Sequence, residues 1–143
     1  MTDKPHGHVP PSLSRTFVER LRVRYAETDQ MGVVYYANYL RYYEAARVEW
    51  LRAHDIPYKQ IEEDGALFPV IEAHTRYRQP ARFDDLLDIH CTLTKVGSAS
   101  LRFEYVVRRD DTVLAEGWTE HACIDRTGRP RRIPPHVKQK LDA

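Results

Sequence analysis

Cysteine is scarce in this chain: Cys91 and Cys123 are the only two in 143 residues, and they form no C-x-x-C pair. That excludes a disulfide framework and a thiolate zinc cage; two isolated thiols in alternating segments read as buried and reduced, which suits a cytosol. Charge of one sign is not in surplus either. Lys plus Arg total 22 against 21 Asp plus Glu, a net charge of +1, so composition makes no case for nucleic acid or an acidic membrane as partner. No apolar run approaches the roughly 18 residues of a membrane helix, and the opening MTDKPHGHVPPSLS lacks a signal peptide's apolar centre, so a cytoplasmic protein is expected. Histidine is missing from Val9 through Ala53, and His54, His74, His90 and His121 are scattered without an i,i+4 pair. No metal site and no cofactor are expected.

What is present is a readable order of elements. Residues 1–14 hold three prolines and little that is apolar, and read as a loose tail. Phe17, Leu21, Val23 and Tyr25 then alternate with Arg20, Arg22 and Arg24, the period of a half-buried strand. From Ala37 to His54 the spacing of Tyr39, Tyr43, Ala46, Trp50 and Ala53 predicts one face of a helix, with Glu44 paired to Arg47 or Arg41 and Glu49 to Arg52 on the outside. Pro57 ends it, and Tyr58 to Asp64 predicts a short turn of helix before Gly65. Four strands follow, at 67–78, 86–96, 100–109 and 112–124, with hairpin breaks at Gly97-Ser98 and Asp110-Asp111. The fold class is therefore α+β: one domain over 15–134, a long helix wrapped by a five-stranded antiparallel sheet, with 135–143 as a second tail. Edge strands and an uncovered helix end predict pairing with a second copy, as a homodimer or a dimer of dimers.

Chemistry concentrates between the first strand and the helix. In AETDQMGVVYYANY, Asp29 precedes Gly32, which allows close backbone approach, and Val33 to Tyr36 supply an apolar wall where the helix begins. A carboxylate there is either a turn or cap residue, or a base beside backbone N–H groups that can stabilise an oxyanion. Glu27, two residues earlier, reads equally as a second carboxylate on the same side or as a structural partner.

The strings TDQMGVVYYANYLRYYEAAR and YRQPARFDDLLDI resemble the hotdog-fold acyl-CoA thioesterases of the 4-hydroxybenzoyl-CoA thioesterase type, and the branch that includes the Tol-Pal-associated enzymes. The resemblance extends to about Ile133 and implies a hotdog fold and hydrolysis of an acyl-CoA, with coenzyme A as part of the substrate and not a cofactor. It implies Asp29 as the catalytic carboxylate and the Tyr36 backbone amide as the group polarising the thioester carbonyl. Gly32, Val34 and Tyr35 would then border the substrate. Many members of the Tol-Pal-associated branch carry histidine where this chain has Tyr36, which leaves the acyl group open. The basic run Arg126, Arg129, Arg131 and Arg132 reads either as contacts to coenzyme A phosphates or as a solvated face.

Three rivals are weighed on residues. Glu44 lies off the apolar stripe, where a solvated or interface pair outweighs catalysis. A hotdog dehydratase needs a histidine base at the strand-to-helix turn, which this chain lacks. A non-catalytic acyl-binding or scaffold protein would have no reason to keep an ionisable group before the glycine. The tyrosines at 35, 39, 42 and 43 read as core and dimer seam, with Tyr35 or Tyr39 also able to line an acyl pocket.

Overall fold

The computed structural model describes residues 15–142, so the expected tail at 1–14 lies outside the described residues, as does residue 143. Strand β1 (Thr16–Arg22) leads into a single turn of 3-10 helix at Tyr25–Glu27, then helix α1 (Asn38–Ala53), helix α2 (Tyr58–Glu63), strands β2 (Val70–Tyr77), β3 (Leu86–Val96), β4 (Ser100–Arg109) and β5 (Thr112–Ala122), and helix α3 (Pro135–Asp142). The strands form one antiparallel sheet in the order β1-β3-β4-β5-β2. Its concave face packs on α1, the hotdog arrangement that the resemblance implies. Among the described residues no helix is long and apolar enough to cross a membrane.

Helix α1 buries Tyr39, Tyr42, Tyr43, Ala46, Trp50 and Leu51, a wider stripe than the spacing alone predicts because Tyr42 and Leu51 widen it. The sheet meets this stripe with alternating residues: Leu87, Ile89, Cys91 and Leu93 on β3, and Leu101, Phe103, Tyr105 and Val107 on β4, are all buried. Tyr43 stacks flat on Tyr105 with centroids 4.2 Å apart, and Trp50 meets Phe103 edge-on at 5.4 Å. Burying each side chain of this size contributes about 1.5–3 kcal/mol, which outweighs the modest helix propensity of a tyrosine-rich segment. Gly117 on β5 makes this packing possible. A Cβ there would stand 2.7 Å from the Tyr43 hydroxyl and 2.3 Å from the His74 carbonyl.

Three expectations are corrected. The first strand stops at Arg22, and Tyr25 is exposed in the 3-10 turn, packed edge-on against Phe83 rather than into the core. Residues 135–142 are not a tail: α3 buries Val137 and Leu141, one turn apart on one face. On α1, Glu49 pairs with Arg52 as expected, but Glu44 has no ion pair among the described residues. Arg47 turns inward instead and donates to the Tyr105 hydroxyl at 3.0 Å.

Strand β2 stands apart from the others. It occupies one end of the sheet, and seven of its eight residues are exposed, including Val70 and Ile71.

Candidate active site

The segment between β1 and α1 folds into a tight hairpin. The Asp29 amide donates to the Val33 carbonyl at 2.9 Å, the Gly32 amide donates to the Asp29 carbonyl at 2.9 Å, and Thr28 and Val34 bridge in antiparallel fashion. Three residues, Gln30 to Gly32, make the loop, and its last position is left-handed: Gly32 has φ of +79°. A three-residue hairpin loop calls for glycine at that place. The hairpin is then tied to the segment before β3, because the Val34 amide donates to the Ala81 carbonyl at 2.8 Å.

Asp29 serves the turn with one carboxylate oxygen only. Its Oδ1 accepts from the Met31 amide at 2.9 Å and, more weakly, from the Val33 amide at 3.5 Å. Its Oδ2 has no hydrogen-bond partner among the described residues. The two readings of this aspartate are therefore compatible, since a turn-capping oxygen leaves the second one available.

The entry to α1 is organised around Asn38. Its side-chain amide donates to the Glu27 carbonyl at 2.9 Å, which also accepts from the Tyr35 amide at 2.9 Å. The Asn38 backbone amide donates to the Tyr35 carbonyl at 2.9 Å. Peptide units here are planar and trans, so the Tyr36 N–H, opposite that carbonyl, points away from the helix. Among the described residues this N–H finds no acceptor. One residue further on, the Tyr36 carbonyl accepts from the Tyr77 hydroxyl at 2.9 Å, which anchors the helix start to the end of β2.

Asp29 and Tyr36 border the same cavity, of about 280 Å³. Val33, Val34 and Tyr39 form its wall on one side, and Tyr77, Gln79 and Pro80 close the other. The phenols around it are poor bases: burial raises Tyr39 and Tyr77 above the ordinary tyrosine range, and a hydrogen bond with Tyr36 raises Tyr35. Among the described residues no histidine lines this cavity. Sequence reasoning missed the contribution of Tyr77, Gln79 and Pro80. Their signal was the string YRQPARFDDLLDI, quoted for its resemblance but given no role.

Other candidates fall elsewhere. Glu27 does not share a side with Asp29, because the 3-10 turn rotates it away; its Oε1 accepts from the Arg24 amide and from the Tyr42 hydroxyl, each at 2.9 Å. It is a structural partner. Val34 lines the Asp29 cavity, whereas Gly32 and Tyr35 shape the loop beside it. Glu44 is absent from the cavity wall. Arg126 donates to the Glu62 carbonyl at the end of α2, Arg131 donates to the Arg132 carbonyl, and none of Arg126, Arg129, Arg131 and Arg132 borders the Asp29 cavity within one chain.

Comparison with known proteins places this geometry in a family. The family model described as the thioesterase-like superfamily matches residues 23–141. An acyl-CoA thioester hydrolase, YbgC of Escherichia coli O6:H1, is 35% identical over 119 residues, covering 82% of this chain and 89% of that protein. A 1,4-dihydroxy-2-naphthoyl-CoA hydrolase of Nostoc punctiforme is 31% identical over 129 residues, covering 89% of this chain and 87% of that one. Among solved structures, the hypothetical protein TT1821 of Thermus thermophilus superposes with a TM-score of 0.85 at 42% identity, covering 89% of this chain and 95% of that chain. With the hairpin, the helix entry and strands β2 to β5 inside the matched region, the chain belongs to the thioesterase-like superfamily.

Proposed function

We propose that this hotdog thioesterase hydrolyses acyl-CoA thioesters to a free acid and coenzyme A, with Asp29 as the catalytic carboxylate and the Tyr36 amide as the oxyanion donor. The observation that carries the reading is the shared cavity. Asp29, with one carboxylate oxygen that has no partner among the described residues, and Tyr36, with a backbone N–H that has no acceptor among them, line one volume of about 280 Å³. The CoA hydrolases among the relatives support a thioester over an oxygen ester.

Two routes fit these groups. Asp29 Oδ2 attacks the thioester carbonyl, the carbon–sulfur bond breaks, coenzyme A leaves as thiolate, and water then hydrolyses the mixed anhydride. Alternatively Asp29 takes a proton from a water molecule that attacks the same carbon. Either way negative charge builds on the carbonyl oxygen, where the Tyr36 N–H would stabilise it, and one such donor is worth about 10²–10³ in rate. Val33, Val34 and Tyr39 would hold the acyl group, with Tyr35 and Gly32 setting the loop. Arg126, Arg129, Arg131 and Arg132 would meet the coenzyme A phosphates outside the cavity.

A second copy completes the reading. The open edge of β2 runs directly into Tyr77 and the cavity, so pairing of two β2 strands would bury Val70 and Ile71 and wall off the groove. A panel of short, long and aromatic acyl-CoA thioesters, followed by release of free thiol, tests the reading. Turnover of at least one member at a rate far above spontaneous hydrolysis is expected; binding without release of thiol from any of them would instead make the chain an acyl-binding scaffold.

A further inference from the structure

A second cavity, of about 100 Å³, lies under the other end of α1. It shares no lining residue with the Asp29 cavity, and Arg47 on its wall follows Tyr36 by eleven residues, about 16 Å along a helix axis. Leu51, Ile61, Phe103, Val137 and Leu141 make most of its surface apolar. Helix α3 closes it from outside. That helix is held by contacts at its surface: Lys140 donates to the Asp55 carbonyl at 2.8 Å, His136 meets Asp64 at 2.8 Å, and Arg15 donates to the Leu141 carbonyl at 2.8 Å.

Arg47 and His121, both on its wall, are joined through Tyr105 and Thr119 in one ordered chain. Arg47 donates to the Tyr105 hydroxyl at 3.0 Å, that hydroxyl meets Thr119 Oγ1 at 2.6 Å, Thr119 meets His121 Nε2 at 2.8 Å, and His121 Nδ1 lies 3.1 Å from the Phe68 carbonyl. A guanidinium only donates and a carbonyl only accepts, so with a neutral imidazole every hydrogen along the chain points from Arg47 toward Phe68. Burial pushes His121 down to about 4, which keeps that imidazole neutral. Tyr105, Thr119 and His121 are thereby fully used. Arg47 is not: one of its five donors goes to Tyr105, and it makes no ion pair among the described residues. Glu44 also lines the cavity but is exposed, with no ion pair or hydrogen bond to Arg47.

We propose that this cavity binds a small aliphatic monocarboxylate, its carboxylate on Arg47 and its hydrocarbon end among Leu51, Phe103, Val137 and Leu141. An apolar cavity of about 150 Å³ takes the six carbons of benzene, so the smaller volume here holds about four heavy atoms, enough for a short hydrocarbon end while the carboxylate sits at the half-buried Arg47 on the wall. The guanidinium fork matches a carboxylate with two parallel bonds, and the apolar remainder rejects a ligand charged at both ends. This site stands apart from the thioester reading, because it holds whether or not Asp29 is catalytic.

Methyl-resolved NMR of the full chain, titrated with sodium butyrate and separately with butyramide, tests the site. Butyrate is expected to shift the methyl signals of Leu51, Val137 and Leu141 saturably, with butyramide at least about tenfold weaker because it lacks the charge. Arg47→Gln is expected to abolish that preference; should it fail to fold, Leu141→Phe, which fills the cavity and leaves Arg47 in place, is expected to block binding. No saturable shift in the wild-type chain, equal shifts from the two ligands, or shifts confined to residues around Asp29 and Tyr36 would each overturn the proposal and leave a simple packing void.

Discussion

Asp29 and His121 show how differently two polar side chains can be treated by one small core. Asp29 spends one oxygen on the Met31 amide and lines a cavity with the other unpartnered among the described residues, so capping the turn leaves that oxygen available. His121 is only 2% exposed, and both of its ring nitrogens are engaged. Its proton balance carries a stability consequence. Burial lowers the folded-state value from 6.5 to about 4, so between those two the unfolded chain binds the extra proton and the folded chain does not. Stability is accordingly full above pH about 6.5 and falls as the pH drops toward 4, by on the order of 3 kcal/mol in all. Urea unfolding of wild type and His121→Gln at pH 7 and pH 4.5 checks this. The wild type is expected to lose more stability between the two pH values than the variant, and equal losses would mean that His121 is not the group responsible.

The hairpin from Thr28 to Val34 is the element that presents the site, and Gly32 is its weak point. A Cβ there would meet nothing within 4 Å, so the cost of Gly32→Ala is conformational and not a collision. Holding alanine at this left-handed φ costs about 1–2 kcal/mol. Gly32→Ala is expected to lower both stability and turnover, whereas Gly32→Asn, which tolerates the same backbone, is expected to recover most of both; thermal unfolding together with thiol release measures them. The hairpin also shows why parts of the site were readable in the sequence and others were not. An acid, a glycine three residues on and an aromatic helix are local signals, and period-two and helical spacings placed α1 and four of the strands to within a few residues. Glu27 stays open in the sequence between a second carboxylate and a structural partner, because one turn of 3-10 helix leaves no periodic trace. Tyr77, Gln79 and Pro80 come from the end of β2 and the loop after it, about fifty residues further along the chain, and only tertiary packing brings them to Asp29. Helix α3 did carry a signal, Pro135 at its first position and an i,i+4 pair in Val137 and Leu141, but the basic residues around it read as a solvated face.

At the scale of the whole molecule, the sheet ends in two edge strands of different exposure. β1 is half-buried, while β2 offers a long edge with Val70 46% and Ile71 58% exposed. An edge of that kind is a template for another strand. Both residues are exposed in a single chain, so replacing them with lysine leaves the fold intact. Sedimentation of Val70→Lys/Ile71→Lys is expected to give the single-chain mass where wild type gives at least twice that, with turnover lost because the groove stays open. An unchanged mass would rule out β2 as the seam.

The central claim is that one carboxylate oxygen at the head of α1 does the chemistry, and Asp29→Asn tests it most directly. Asparagine keeps a side-chain oxygen that can accept from the Met31 amide, so the hairpin is retained, but it can neither attack a thioester as a carboxylate nor take a proton from water. With an acyl-CoA that the wild type hydrolyses, thiol release by Asp29→Asn is expected to fall by about a hundredfold or more, with the circular dichroism spectrum unchanged. Full turnover by a folded Asp29→Asn chain would contradict the account.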